Sequence, residues 1–469
     1  MSAGDLQDVQ RGLRMANPPD PAELRAEVVE LRRLETLPPL RRASGYFRVV
    51  GPGYLQSAMT LGGGTATAAL FSGALFGYEL LWVAPVAMLL GIVMLAAVSH
   101  QTLSTGQRPF DAMRRFAGAP LAWAWALGAL AASVIWHFPQ YALASSMLVD
   151  VSEALGLGSP PRFLMGLVVL AWAVLLSMLY ASGTWVRAYE RILRWMVWGI
   201  VLAMALVVLR TGIGDPLDLL RGLVPSIPES RNGVAGTTLI LSGLSAAVGI
   251  NMVFLYPYTL LARGWGRNHR RLARFDLVLG MFVPYVLASG LIVLAAANTL
   301  HLDPSYSGQR LQPVEAAQVL GTVIGPTLGR VVFGAGILAM ALSSITLQML
   351  CCGFVCAEVF GWKFGGTRYR LATLLPVPGV LGAAFWSDIA VWIAVPTNIV
   401  CGLFLPAAYL GFVRLQRSRD YLGQDVPEGL GGRVWWSAMV AISLFLLTFL
   451  GWYVVTNGPG YLERFVGAA

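Results

Sequence analysis

Charge is what this chain has least of. Only 12% of its 469 residues are charged, against 57% that are hydrophobic, and the mean hydropathy of +0.66 excludes an ordinary soluble domain. No glycine-rich phosphate loop of the GxxxxGK[ST] type occurs, so ATP drive within this chain has no support. Nothing at the N-terminus resembles a cleavable signal; the stretch up to about Leu40 is polar, charged and proline-bearing and reads as an uncleaved tail. Cysteine is nearly absent. Cys351, Cys352, Cys356 and Cys401 all fall in apolar segments without metal-cluster spacing, and read as small packing residues. Histidine is as rare, with four in the chain; His100, His269 and His301 fall at loop margins. Acids are missing from the middle of every apolar stretch: Glu79, Asp276 and Glu358 lie at stretch ends. Intramembrane acids mark cation pathways and proton relays, so their absence counts against a bare, dehydrated transition metal.

What remains is a run of apolar segments, each about 20 residues long, which is the length of a membrane-spanning helix. About eleven such spans are expected, centred near Gly64, Leu90, Ala132, Ala171, Leu202, Gly249, Val286, Leu342, Gly379, Cys401 and Leu444. The one near Gly379 carries Pro376 and Pro378. Arginines cluster around 108–115, 187–194, 263–274, 368–370 and 414–433. The alternate loops hold Asp150, Glu153, Asp215, Asp218, Glu229, Asp303 and Glu315. This bias accounts for the formal charge of +9 without nucleic acid. It predicts a multi-pass protein of the plasma (inner) membrane with its N-terminus cytoplasmic and its C-terminus outside. Residues 21–35 alternate acids and arginines around Leu and Val at helical spacing, consistent with an amphipathic helix resting on anionic lipid. Residues 313–320 have helical spacing and are expected to lie across the outer surface.

The most informative stretch is Leu61-Gly62-Gly63-Gly64-Thr65, inside the first span. Each glycine weakens a helix by roughly 1 kcal/mol relative to alanine, and unwound backbone at membrane depth survives only when buried or lining a cavity. Broken helices at mid-membrane depth are where secondary transporters bind substrate.

Several motifs in order give the chain a resemblance. Gly51-Pro52-Gly53 opens the first span, Gly77-Tyr78-Glu79-Leu80-Leu81-Trp82 closes it, Gly222-Leu223-Val224-Pro225 precedes the sixth, and Ala341-Leu342-Ser343-Ser344 with Glu358-Val359-Phe360-Gly361-Trp362 marks the eighth. Together, from about Gly51 to Arg419, they resemble the Nramp family of divalent metal transporters. The resemblance implies an all-α integral membrane protein with the LeuT-type fold, an inverted 5+5 repeat whose helices 1 and 6 are broken at the site. The expected divisions are a tail over 1–45, a first repeat over 46–212, a second over 213–415, and a loop, last span and short outer tail over 416–469. The family's functional motifs depart here. Its DPGN falls on Gly62-Gly63-Gly64-Thr65 and its MPH on Gly249-Ile250-Asn251, so both the aspartate and the thioether ligand are expected to be missing. The acids of span three that serve proton coupling fall on Trp136 and Pro139.

The expected substrate site therefore consists of Thr60, Gly62, Gly63, Gly64, Thr65, Ala246, Gly249, Ile250, Asn251 and Asn398, with His137 as a coupling group and no confident metal ligand. Glycine N–H groups at a half-helix start favour an anion, and glycines in place of larger side chains suggest an enlarged, neutral pocket. The leading expectation is a secondary transporter of a metal–organic chelate or small carboxylate. A conventional proton-coupled importer of Mn²⁺, Fe²⁺ or hydrated Mg²⁺ is the alternative, and a non-transporting sensor the third. None of the three is an enzyme, and none calls for a cofactor, nucleic acid or an obligatory protein partner; the partners are the solute and the lipid bilayer.

Overall fold

The computed structural model describes residues 12–181, 185–303, 325–385 and 390–466. Two amphipathic helices come first, α1 (Pro21–Glu35) and α2 (Pro39–Val49). The first span is a pair, α3 (Pro52–Thr60) and α4 (Gly63–Phe76), bent by 53° at the glycines. Then follow α5 (Val83–Thr105), α6 (Ala119–Ala154), α7 (Arg162–Ala181) and α8 (Val186–Thr211). The sixth span is interrupted between α9 (Gly236–Ala247) and α10 (Ile250–Ala262). The next is assembled from α11 (Arg270–Leu277), a π turn and α12 (Val283–Ala297). Last come α13 (Pro326–Phe360), α14 (Ala390–Gly402), α15 (Leu405–Leu415) and α16 (Gly429–Val466). Among the described residues, nine helices are long and apolar enough to cross a membrane, or ten if the bent pair is one span.

The expected span at Gly379 is not one helix. Pro376 and Pro378 lack the N–H that would continue it, and the chain forms short pieces, Thr367–Ala372, Val377–Leu381 and Gly382–Phe385. These pieces nevertheless travel the length of the bundle. Gly365 lies against the Ala181 carbonyl at one end of α7, Gly379 and Gly382 against His137 and Phe138 midway along α6, and Ala383 against Gly166 at the other end of α7. This stretch therefore runs alongside α6 and α7 without forming the single apolar helix that was expected of an eleventh span. The helix expected at 313–320 lies outside the described residues.

The arginine clusters meet at one end. There α1 does not rest on a surface; it buries Leu24, Val28, Leu31 and Leu34 against the bundle. Its Glu27 accepts a hydrogen bond from Trp265 Nε1 at 2.9 Å and lies 4.0 Å from Arg263. Arg263 in turn pairs with Glu190 at 3.1 Å and donates to the Val49 carbonyl, while Arg194 donates to the Val50 carbonyl. Asp276, wholly buried, accepts from Gly53 N at 2.6 Å. These contacts satisfy the backbone groups at the start of α3, which a membrane-embedded helix end cannot leave bare. The four cysteines are free and buried.

Candidate functional site

The two breaks face each other in the middle of the bundle. At the first, Leu61 and Gly62 leave the helical region (ψ of 59° and −176°), which strands the last carbonyls of α3 and the first N–H of α4. Side chains from neighbouring helices take them up. Ser343 and Ser344 of α13 donate to the Ala58 and Met59 carbonyls at 2.8 and 3.2 Å. Thr65 Oγ1 donates to the Thr60 carbonyl at 2.6 Å, and Gly63 N donates to Gln140 Oε1 at 2.9 Å. At the second break Val248 is extended, and Thr60 Oγ1 reaches across to the Ala247 carbonyl at 3.0 Å.

The three glycines are required by close approach. A Cβ at Gly62 would stand 2.7 Å from Ser344 Oγ, one at Gly63 2.8 Å from Gln140 Oε1, and one at Gly64 2.3 Å from Trp136 Cη2. The space that the missing side chains vacate is thus filled by Trp136, Gln140, Ser344 and Asn398. The enlarged pocket expected from the sequence is not found. The cavity between the breaks offers about 30 Å³ for the centres of water-sized molecules, where one water needs roughly 10–15 Å³. In this conformation it admits a small ion with little water and no organic chelate. The anion nest is corrected for a related reason, since the Gly63 N–H already serves the Gln140 carbonyl.

Of the expected residues, Thr60, Gly62, Gly64, Thr65, Ala246, Gly249, Asn251 and Asn398 line the cavity. Gly63 and Ile250 do not; Ile250 is buried with its Cδ1 against Gly128. His137 sits one layer behind, its Nδ1 2.8 Å from the Ser133 carbonyl and its ring close to Gln348. A carbonyl only accepts, so Nδ1 carries the proton and Nε2 is the basic side.

The sequence reading missed Met59, Gln140, Ser245, Met252, Ser344 and Gln348, which also line the site. Met252 matters most. A thioether was expected to be gone, yet Met252 Sδ lies 3.1 Å from Thr60 Oγ1 and 3.4 Å from Gly249 N, folded back over the first turn of α10. It stands three residues beyond Gly249, just outside the three positions compared.

The amide side chains are oriented by their donors. Asn398 Nδ2 donates to Gly64 O and Ser242 Oγ at 3.2 and 2.8 Å, and Gln348 Nε2 donates to Ser344 Oγ at 3.2 Å. Their oxygens, Asn398 Oδ1 and Gln348 Oε1, are buried and have no protein donor, as is Ser245 Oγ. The lining is neutral; the two amide oxygens left over only accept, and the Ser245 hydroxyl can do either. Among the described residues no group of three or more His, Cys, Asp or Glu side chains converges as a metal site would.

A helical bundle with two facing broken spans and a small polar cavity between them defines a membrane protein of the LeuT-type fold. A family model described as natural resistance-associated macrophage protein-like, Nramp, matches residues 53–452, and the chain belongs to that family. The divalent metal cation transporter MntH 1 of Pseudomonas aeruginosa is 26% identical over 430 residues, covering 88% of this chain and 92% of that protein. The divalent metal cation transporter MntH of Mycobacterium leprae is 24% identical over 411 residues, covering 84% and 90%. A crystal structure of a mutant manganese transporter of Eremococcus coleocola superposes with a TM-score of 0.72 at 14% identity, over 98% of this chain and 92% of that one. The nucleobase-cation-symport-1 family transporter Mhp1 shares the fold more distantly, with a TM-score of 0.54 at 15% identity over 87% and 93%.

Proposed function

We propose that the protein is a secondary transporter of divalent metal cations, and not an enzyme, with the ion held between the two broken spans. The observation that carries this reading is the polarity of the cavity: Asn398 Oδ1 and Gln348 Oε1 are buried acceptors without donors, beside the Met252 thioether and the Ser245 hydroxyl, which can turn its lone pairs to a cation. Such lone pairs suit a cation and repel a carboxylate. Oxygen donors alone suit hard ions, and a thioether adds preference for a softer one such as Mn²⁺ or Fe²⁺. The names of the curated relatives agree with this chemistry. The chelate and carboxylate readings are set aside, because the cavity is too small for the first and of the wrong polarity for the second.

Without a carboxylate in the lining, the ion keeps part of its water, and its affinity rests on several neutral donors rather than one strong one. His137, with its basic nitrogen toward Gln348, is the group we assign to proton coupling. The test is Mn²⁺ uptake into proteoliposomes with and without citrate. Saturable uptake of the free ion, lowered by citrate and accelerated by an inward proton gradient, is expected. Uptake seen only when citrate is present would restore the chelate reading. Gradient-driven uptake that is unchanged in His137→Phe would remove that histidine from coupling.

A further inference from the structure

At the arginine-rich end, two adjoining cavities open between the N-terminal helices and the start of α11. One, of about 500 Å³, is lined by Leu31, Arg32, Glu35, His100, Arg267, Asn268, Arg270, Arg271 and Arg274. The other, of about 640 Å³, is lined by Arg42, Tyr46, Arg271, Arg274 and Phe275 with the first turn of α2. They share Arg271 and Arg274. Six arginines thus face this space; among the described residues the acids paired with them are Glu35, 3.5 Å from Arg271, and Asp425, 2.9 Å from Arg270 and 2.5 Å from Arg267. Arg32, Arg42 and Arg274 have no carboxylate partner among the described residues. Three guanidinium groups without a carboxylate, around two joined pockets, suit a polyvalent anion.

The scaffold indicates which anion. Helix α2 is fixed on its inner side, with Gly45 against Leu34 of α1 and Tyr46 edge-on to Phe275 at 5.5 Å. Its outer side presents Leu40 and Phe47, 87% and 42% exposed. The helix ends three residues before α3 begins, so the chain places it where the first span leaves the membrane. An arginine pocket bordered by exposed apolar side chains at that level matches a phosphate carried on acyl chains. A soluble phosphate would make no use of Leu40 and Phe47.

We infer that these pockets form a binding site for the headgroup of an anionic phospholipid, with Arg42, Arg271 and Arg274 on the phosphate and α2 against the acyl chains. Because the carbonyls at the end of α2 are held by Arg263 and Arg194 beside the start of α3, an occupied site would brace the half-helix that leads into the cavity.

The experiment is retention of lipid by the purified full chain in neutral detergent, read by native mass spectrometry. Phosphatidylglycerol, cardiolipin and phosphatidylcholine are offered in turn, with inorganic phosphate as competitor. Preferential retention of the anionic lipids is expected, falling about tenfold or more in Arg42→Gln/Arg274→Gln, with millimolar phosphate unable to displace them. Arg25→Gln/Arg33→Gln removes the same charge from α1 outside both pockets and is expected to retain lipid as the parent does. Equal retention of phosphatidylcholine, equal loss in the α1 control, or displacement by phosphate would each overturn the proposal. Size-exclusion profiles and melting temperatures of both variants establish that a loss is not a folding failure. Since the readout is lipid binding, it stands or falls separately from metal uptake.

Discussion

At Gly64 a single added methyl group decides whether the site can close. Its Cβ would stand 2.3 Å from Trp136 and 2.4 Å from Asn398 Oδ1, so Gly64→Ala should cost about 1–3 kcal/mol through overpacking and abolish uptake. Gly199→Ala, inside α8 with a Cβ that meets nothing within 4 Å, should leave uptake as it was and hold or slightly raise the melting temperature. Met252 allows a sharper test of ion choice. Met252→Leu keeps the volume and removes the sulfur, so Mn²⁺ uptake should persist while Mg²⁺ and Ca²⁺ compete several-fold better. Unchanged competition would show that the oxygens alone select the ion. These residues also mark the limit of sequence reading. The glycine triplet was legible because a helix seldom tolerates it, and Thr60, Asn251 and Asn398 because they are polar in apolar segments. Gln140, Ser344 and Gln348 are equally polar but lie on the long helices α6 and α13, where only packing shows which face meets the breaks.

At the level of elements, α1 was read as a helix resting on lipid and is instead docked to the bundle through a charged contact. Burial pushes the Glu27 carboxyl up, but its contact with His269 and the charges of Arg263 and Arg187 outweigh that and hold it below its ordinary 4.5. A lowered carboxyl stabilises docking fully above its unfolded value and loses that contribution as pH falls through the docked value. The α1 contact should therefore hold at neutral pH and weaken below about pH 4.5. Hydrogen exchange of α1 followed from pH 7 to pH 3.5, corrected for intrinsic rates, checks this: protection should fall in the parent and be low throughout in Glu27→Gln. Protection independent of pH in both would mean that Leu24, Val28, Leu31 and Leu34 suffice. The charge pattern gave no hint of this docking, since alternating acids and arginines look the same whether they face water, lipid or a protein partner.

For the molecule as a whole, the path of the chain bears on an arithmetic that helix counting leaves ambiguous. Nine or ten helices qualify as spans among the described residues, and ten crossings would bring both termini to one side. We propose that the broken stretch from Thr367 to Phe385 adds a crossing, because its neighbours progress from Ala181 to Gly166 along α7. The last helix agrees: it starts beside the arginine-rich loop, with Arg417 over Trp436, and reaches the start of α9, where Tyr453 and Thr238 are 3.4 Å apart. The N-terminal helices stay at the arginine-rich end through Glu23–Arg187 and Glu27–Trp265. From the arginine enrichment on that side we propose that the N-terminus lies inside and the C-terminus outside. Paired reporters that are active on opposite sides of the membrane, fused to each terminus in turn, should give opposite readings, with the N-terminal fusion cytoplasmic. Both termini reporting the same side would mean that the proline-broken segment turns back within the bundle, and that the count of eleven crossings is one too many.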